Sequence, residues 1–330
     1  NLRCDPRVIE AACNAAKRFG VGSGASRLIS GTTLLHEELE SKLAAWYGSE
    51  AALIFSSGYH ANVGVLSCLA DPETLLVCDA LNHASLIDGA RLSGAQKTIV
   101  PHLDLEAFAK ALDGSNALRT LIVSDALFSI DGDRANIEGL RELSNNFGVA
   151  LLLDDAHGLG ALGEEGRGIA GSADVTTATL SKAFGSLGGV VFSSTEVREH
   201  LLNHARSFVF STAADMPSLG AALAAHAIIA SSEGDVRRKA LKSRAEQLRQ
   251  GLMELGLETS GDTHIVPLWL GESQRALELS KRLQDAGFFA PAVRPPTVPD
   301  GRAMLRFSLH AGIEEVTISK ILDVLRKLSR

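Results

Sequence analysis

Cysteine is scarce in this 330-residue sequence: Cys4, Cys13, Cys68 and Cys78 are the only four, and they stand at no metal-ligand spacing. That excludes a cysteine-built zinc site or a disulfide framework and leaves reduced thiols, on helix faces or in the core, of a cytosolic protein. Basic residues form no dense block, and 32 Lys and Arg against 39 Asp and Glu leave a formal net charge of -7. Neither nucleic acid nor an anionic membrane is therefore an expected partner. Long hydrophobic runs are missing too: the longest, Leu219 to Ala230, contains His226 and is too short to cross a bilayer. No signal peptide is recognisable, and no methionine precedes Asn1, so a leading piece is expected to be missing or removed. There is no internal repeat, no low-complexity segment, no G-x-x-x-x-G-K-[ST] phosphate loop and no G-x-S-x-G nucleophile elbow.

Apolar residues, in contrast, make up 45% of the chain, enough for a large core in two domains. Pro6–Phe19 and Leu34–Tyr47 carry helical periodicity on either side of a turn-rich stretch at Gly20–Gly24. Short apolar runs follow at Ala52–Phe55, Thr74–Cys78, Thr98–Val100, Thr120–Ser124, Val149–Asp154, Val175–Leu180 and Gly189–Ser193. Several lack in/out alternation, as strands covered on both faces do. Helix-like Ser85–Leu92, Leu105–Leu112 and Ile137–Phe147 lie between them. This rhythm predicts an α/β fold: a mostly parallel seven-stranded sheet with helices on both faces. Beyond Ala213 it predicts long helices at Pro217–Ser231 and Val236–Leu255, the second highly charged along one side. Strands at His264–Leu270 and Met304–Leu309 and helices at Ser273–Ala286 and Ile313–Leu328 then make a smaller α+β domain. The expected division is 1–229 and 230–330.

Ligands of open α/β sheets bind beyond the carboxyl ends of the strands. Asp154, His157, Thr179 and Lys182 fall there, with Ser129 and His83 after earlier strands. Most lysines lie at the surface, but the small and apolar neighbours of Lys182 in Ala178–Gly185 are expected to desolvate its amine and lower its pKa from about 10.4. Amine, carboxylate and imidazole at strand ends suit pyridoxal phosphate: a Schiff-base partner, a partner for the pyridinium nitrogen and a donor to the phenolic oxygen. Asp154 and Asp155 should face opposite sides of the strand, so at most one meets a ligand; either could instead cap a turn, and the residues alone do not choose. His157 with Asp154 could ligate a metal, but no second His/Cys cluster accompanies them and no metal is expected. Ser56–Tyr59 opens a helix whose free N–H groups could hold a phosphate, although Ser-Gly helix starts are also ordinary caps. His83 either stacks on a flat ring or is a hydrogen-bonded loop histidine. Gly158–Gly163 matches G-x-G-x-x-G, but the glycine-rich Glu164–Gly168 follows where a helix should start, so the dinucleotide reading fails.

Taken together, Gly22–Arg27, Ser57–Tyr59, Asn82–Ser85, Phe128–Asp133, Asp154–Gly158 and Thr179–Lys182 resemble, in order, the signature stretches of the α-oxoamine synthases. These are pyridoxal-phosphate enzymes of the aspartate-aminotransferase fold (fold type I), and the resemblance runs from near residue 5 to the C-terminus. It implies that Lys182 forms the internal aldimine and, by analogy, that Asp154 rather than Asp155 pairs with the pyridine nitrogen. It further implies that His157 and Ser129 contact the phenolic oxygen, that His83 stacks on the ring and meets the substrate, that Gly58 and Tyr59 hold the cofactor, and that Thr179 bonds the phosphate. Arg306 is implied to bind the amino-acid carboxylate, with Thr297 near the substrate. Ser211-Thr212 resembles a segment that reaches the phosphate of the neighbouring subunit, implying a homodimer in which Thr212 of the partner subunit completes the site.

The loop Val293–Pro299 is similar to that of the members that condense L-alanine with a pimeloyl thioester, on coenzyme A or a carrier protein, in biotin biosynthesis. The implied reaction has alanine displace Lys182, the freed amine take the Cα proton, and carbon dioxide leave after acylation. Glycine-using members, 2-amino-3-ketobutyrate ligase and 5-aminolevulinate synthase, are the alternative. The rival from another class is a non-catalytic partner subunit of the same fold, which is expected to lack Lys182 or Asp154. Members of the family carry a further N-terminal segment with an arginine near the acyl pocket, and this sequence begins after it.

Overall fold

The computed structural model describes residues 1–328. It contains two compact units, Asn1–Leu127 with Ala135–Asp235, and Phe128–Arg134 with the described residues from Val236 onward. Segment 128–134, which the sequence reading kept with the larger domain, groups with the C-terminal one for a local reason. Thr263 Oγ1 donates to the Gly132 carbonyl at 2.9 Å, Arg134 pairs with Asp262 at 3.0 Å, and Arg306 Nε donates to the Ser129 carbonyl.

The first unit is built on seven strands: β1 (Ala51–Phe55), β2 (Thr74–Asp79), β3 (Gln96–Val100), β4 (Arg119–Asp125), β5 (Ala150–Asp154), β6 (Val175–Thr179) and β7 (Gly189–Ser193), in the order β1-β7-β6-β5-β4-β2-β3. The pairs from β3 to β6 are parallel, while β7 runs antiparallel to both β6 and β1. Only residues 180–188 separate β6 from β7. A parallel return needs a crossover of a dozen residues or more, so this link permits only reversal.

Helices α1 (Pro6–Phe19), α2 (Leu34–Tyr47), α3 (Gly58–Leu69), α4 (Ala84–Leu92), α5 (Leu105–Asp113), α6 (Ile137–Phe147), α7 (Thr195–His204), α8 (Arg206–Val209), α9 (Met216–Ile229) and the start of α10 (Ser232–Glu254) accompany the sheet. Both faces are buried. On β1, Ala52 and Ile54 join Val190 and Phe192 of β7 beneath α1, α2 and α9, whereas Leu53 and Phe55 join Val191 beneath α3, α7 and α8. Period-2 side chains thus meet apolar layers on either side, which is why the strands show no alternation. Each fully buried Leu or Phe contributes roughly 1.5–3 kcal/mol. Helix starts are local. Asp5 accepts from Arg7 N ahead of Pro6, and Asp215 accepts from Ser218 N ahead of Pro217, both side-chain caps with proline inside the first turn. Helix α7, absent from the sequence reading, starts in the same way, with Ser194 accepting from Val197 N.

The second unit has a four-stranded sheet of β8 (Glu258–Thr259), β9 (Ile265–Gly271), β10 (Ala292–Val293) and β11 (Ala303–Ser308), in the order β10-β11-β9-β8 and antiparallel throughout. Helices α11 (Ser273–Asp285), α12 (Glu315–Leu328) and the main length of α10 belong to it. Leu241, Ala245, Leu248 and Leu252 of α10 are buried at helical spacing, leaving its charged residues outside. All four cysteines are free thiols: Cys78 buried, Cys68 half-buried, Cys4 and Cys13 exposed on helical segments. No helix among the described residues is long and apolar enough to cross a membrane.

Candidate active site

Three strands of the first unit end on aspartate at the same edge: Asp79 closes β2, Asp125 closes β4 and Asp154 closes β5, while Thr179 closes β6. Asp125 and Asp154 lie opposite each other in register, and all three carboxylates are buried. Burial first, and then the charge of Asp154, push the Asp125 carboxyl well above the usual carboxylate range. The His83 N–H bond and the positive charge of Lys182 pull it back. Asp79 is tied down separately, accepting from Leu81 N at 2.8 Å and Leu103 N at 2.9 Å, with His102 Nδ1 at 2.9 Å.

Asp154 accepts from Asn62 Nδ2 at 2.6 Å and from Ala156 N at 2.8 Å. Both donors are neutral. A buried carboxylate held only by neutral donors suits a further, cationic one such as a protonated ring nitrogen. Asp155 faces the other way, as strand geometry requires. Its Oδ2 accepts from Ile169 N at 2.7 Å and Ala170 N at 3.3 Å, so it shapes the loop after His157. A Cβ at Gly158 or Gly168 would collide with this carboxyl, which explains both glycines.

Burial, with the neighbouring Asp154 charge adding to it, pushes Asp155 up to about 7 against the pull of the backbone N–H groups. A carboxyl raised in the folded state stabilises fully below its unfolded value, and that contribution is lost as pH rises through the folded value. Between about pH 4 and pH 8 the loss is on the order of 4 kcal/mol, at 1.36 kcal/mol per unit. Asp155→Asn has no such titration, and urea unfolding across that range should therefore show the stability gap between wild type and variant moving in the variant's favour as pH rises. A gap independent of pH would show that Asp155 is already ionised in the folded protein at low pH.

Lys182 departs from expectation. The residue is exposed, not enclosed by its apolar neighbours. Leu180 and Phe184 turn fully into the core, and Gly185 N → Lys182 O and Ser186 N → Leu180 O bonds draw residues 181–182 out into a tight turn. The amine still acts on Asp125, so its charge lies within electrostatic reach of the aspartate edge.

At the end of β6, Ser57 caps α3 by accepting from His60 N at 3.1 Å, and Gly58 lies so close to the strand that a Cβ there would meet Thr179 Cβ at 3.2 Å. The N–H groups of the first turn of α3 thus stand next to Thr179, and backbone donors at a helix start are of the kind an anionic phosphate takes. Thr179 donates its own hydrogen to the Gly188 carbonyl at 2.9 Å, leaving Ser181 Oγ, 2.8 Å away, as the neighbouring donor. Tyr59 is exposed and its hydroxyl donates to Asp88 at 2.7 Å. His157 is half-buried in the turn that follows β5. His83 is exposed as the N-cap of α4. Taken together, the buried carboxylate, the amine and the helix start fit pyridoxal phosphate.

Ser129 and Arg306 belong to the second unit, where they touch through the Ser129 carbonyl, and burial lowers the Arg306 guanidinium from its ordinary value. Thr297 is exposed, its N–H on the Arg294 carbonyl at 3.0 Å. Thr212 is exposed in the first unit and pairs with Ser26 in an isolated antiparallel bridge. Sequence reasoning missed Asp79, Asp125, Asn62, Ser85 and Thr177. The two aspartates carried a usable signal, since each ends a charge-free apolar run as Asp154 does. Asn62 lies inside a helix and had none.

Residues 2–325 match the aminotransferase class I and II family. An 8-amino-7-oxononanoate synthase of Geobacter sulfurreducens is 42% identical over 333 residues, covering 98% of this chain and 85% of the relative. One from Anaeromyxobacter dehalogenans is also 42% identical, over 98% of this chain and 83% of the relative. Among solved structures, Sphingomonas wittichii serine palmitoyltransferase superposes with a TM-score of 0.95 at 32% identity, covering 99% of this chain and 84% of that one. Francisella tularensis 8-amino-7-oxononanoate synthase superposes at 0.84 with 26% identity, covering 99% and 94%. The chain belongs to the aminotransferase class I and II family, the pyridoxal-phosphate enzymes of this fold.

Proposed function

We propose that this enzyme condenses L-alanine with a pimeloyl thioester, releasing carbon dioxide and the thiol carrier (coenzyme A or a carrier protein) and giving 8-amino-7-oxononanoate for biotin. The observation that carries the reading is one strand-end edge on which the Asp154 carboxylate lies opposite Asp125, the carboxyl on which the Lys182 charge acts, in a chain 42% identical over 98% of its length to a synthase of that name.

When bound, pyridoxal phosphate supplies an electrophilic aldehyde and a ring that takes up electrons. Lys182 would be the amine that anchors it and, when free, the base that takes the Cα proton. Asp154 keeps a proton at the ring nitrogen, and its burial strengthens that interaction. The first turn of α3 at Gly58 and Tyr59, with Thr179, binds phosphate; His157 and Ser129 donate to the phenolic oxygen. His83 orients the ring and meets the substrate. Arg306 binds the amino-acid carboxylate as a planar fork, with Thr297 near the substrate.

A homodimer completes the proposal, with Thr212 of the partner subunit on the phosphate. Exposed apolar residues next to the Ser26–Thr212 bridge support it: Leu28 at 44%, Ile29 at 81% and Phe210 at 73%. A cytosolic setting agrees with the free thiols.

A second reading, in which serine replaces alanine, is favoured by the TM-score of 0.95 to serine palmitoyltransferase. Titrating the cofactor-loaded protein with L-alanine, L-serine and glycine, followed by absorbance, separates the readings. Alanine is expected to act at the lowest concentration, by roughly 10- to 100-fold over glycine, the worth of one methyl in a fitted pocket. Addition of pimeloyl-CoA should then release free thiol. Saturation by serine ahead of alanine would transfer the assignment to the second reading.

A further inference from the structure

Resting on the proposed place of His83 in the site, we infer that Asn62 and Ser85 are positioning residues that hold the His83 ring in one tautomer, with Nδ1 accepting and Nε2–H presented as a donor. Asn62, on α3, is 2% exposed. Its Nδ2 donates to Asp154 Oδ2 at 2.6 Å and to Ser85 Oγ at 2.8 Å, and its Oδ1 accepts from Thr177 Oγ1. The opposite orientation of the amide would set its oxygen against the Asp154 carboxylate, so the assignment of the two atoms is determined by charge.

Ser85, fully buried, accepts from Asn62 and has one hydrogen left for its other neighbour, His83 Nδ1 at 2.6 Å. The Ser85 backbone N–H lies 3.3 Å from the same nitrogen, and a backbone N–H can only donate. Two donors converge on Nδ1, which must offer its lone pair. The proton of the neutral ring therefore sits on Nε2.

The main chain of His83 is held as firmly. Its N–H donates to Asp125 Oδ2 at 2.7 Å, while Asn82 Oδ1 accepts from Asp125 N at 3.1 Å and Asn82 Nδ2 donates to the Val123 carbonyl at 2.9 Å. One connected network therefore runs from Asp154 through Asn62 and Ser85 to the His83 ring. Asn62 donates in both directions, so the network cannot pass a proton along; it aims the ring. His83 then serves the reaction as a hydrogen-bond donor toward a substrate oxygen, not as an acceptor.

The test is the ¹⁵N signature of the His83 ring in the cofactor-free protein at alkaline pH, assigned by its loss in His83→Gln. Wild type should show a lone-pair Nδ1 and a protonated Nε2, and Ser85→Ala should shift a sizeable fraction to the other tautomer. Ser85→Cys, nearly isosteric and a weak donor, should restore most of the original form and serves if the alanine variant does not fold. In the loaded enzyme, Ser85→Ala should lower kcat about tenfold with KM for L-alanine nearly unchanged, the effect of one misdirected hydrogen bond, and Asn62→Ala should lower it further because its bond to Asp154 is lost as well. Ser85 acts only through the His83 ring whereas Asn62 also bonds Asp154, so the double variant should be little worse than Asn62→Ala alone. A wild-type ring protonated on Nδ1, or a tautomer indifferent to Ser85→Ala, overturns the inference whatever turnover does. A tautomer that responds while kcat stays constant upholds the network and rejects His83 as a working part of the site.

Discussion

Lys182→Ala is expected to abolish the long-wavelength absorption of bound pyridoxal phosphate and to lower turnover of L-alanine with pimeloyl-CoA by about 10⁴-fold or more. Two functions vanish with one amine: the covalent anchor, and a proton transfer that alone contributes some 10²–10⁴-fold. The position of the residue makes the result easy to interpret. It sits on an exposed turn that backbone bonds and the buried Leu180 and Phe184 help to shape. The melting temperature of the cofactor-free variant should accordingly stay within a few degrees of wild type. A Lys182→Ala protein that keeps the absorption band and turns over would end the assignment of this lysine. A protein that unfolds instead would show that the turn depends on the amine.

Asp154→Asn should produce the second-largest effect, a fall in kcat of roughly 10²–10³-fold, the worth of one preorganised charge in a water-poor site. The amide keeps the shape of the carboxylate but carries no charge with which to hold a proton on the ring nitrogen. The fold should respond in the opposite sense. Asp125 is raised partly by the charge of Asp154, so neutralising Asp154 removes a repulsion between adjacent strand ends. Against that, Asn62 Nδ2 loses a charged acceptor, a change of about 1–3 kcal/mol. Urea unfolding should therefore show a modest net change while activity collapses. Wild-type turnover in Asp154→Asn would remove this aspartate from the proposed chemistry.

Much of the architecture was legible because each element carries its own cause. Pro6–Phe19, Leu34–Tyr47 and Ile137–Phe147 have the bounds their periodicity predicts, since proline, caps and glycine stop them locally. The strand runs were visible as apolar stretches without charge, and their lack of alternation foretold helices on both faces. Where long-range packing decides, the reading was incomplete. Segment 128–134 joins the second unit through partners more than a hundred residues away.

For the candidate site the division is similar. That a lysine, two adjacent aspartates and the histidines His83 and His157 stand at strand ends was readable from runs and turns along the chain, because a strand is a local object whose last residue can be counted. The direction of each side chain was not. Whether the flanks of Lys182 bury it depends on which way Leu180 and Phe184 turn, and they turn inward without it. One partner of Asp154, Asn62, comes from a helix 92 residues earlier, and the lone pair of His83 is set by a serine that another helix holds in place. By itself the sequence determined the elements, the kind of sheet and the chemistry of its strand-end residues, all of which follow from short-range periodicity. Only the tertiary structure decided which hydrogen bonds orient those residues, because donors and acceptors far apart in the chain meet only when the sheet and its helices have packed.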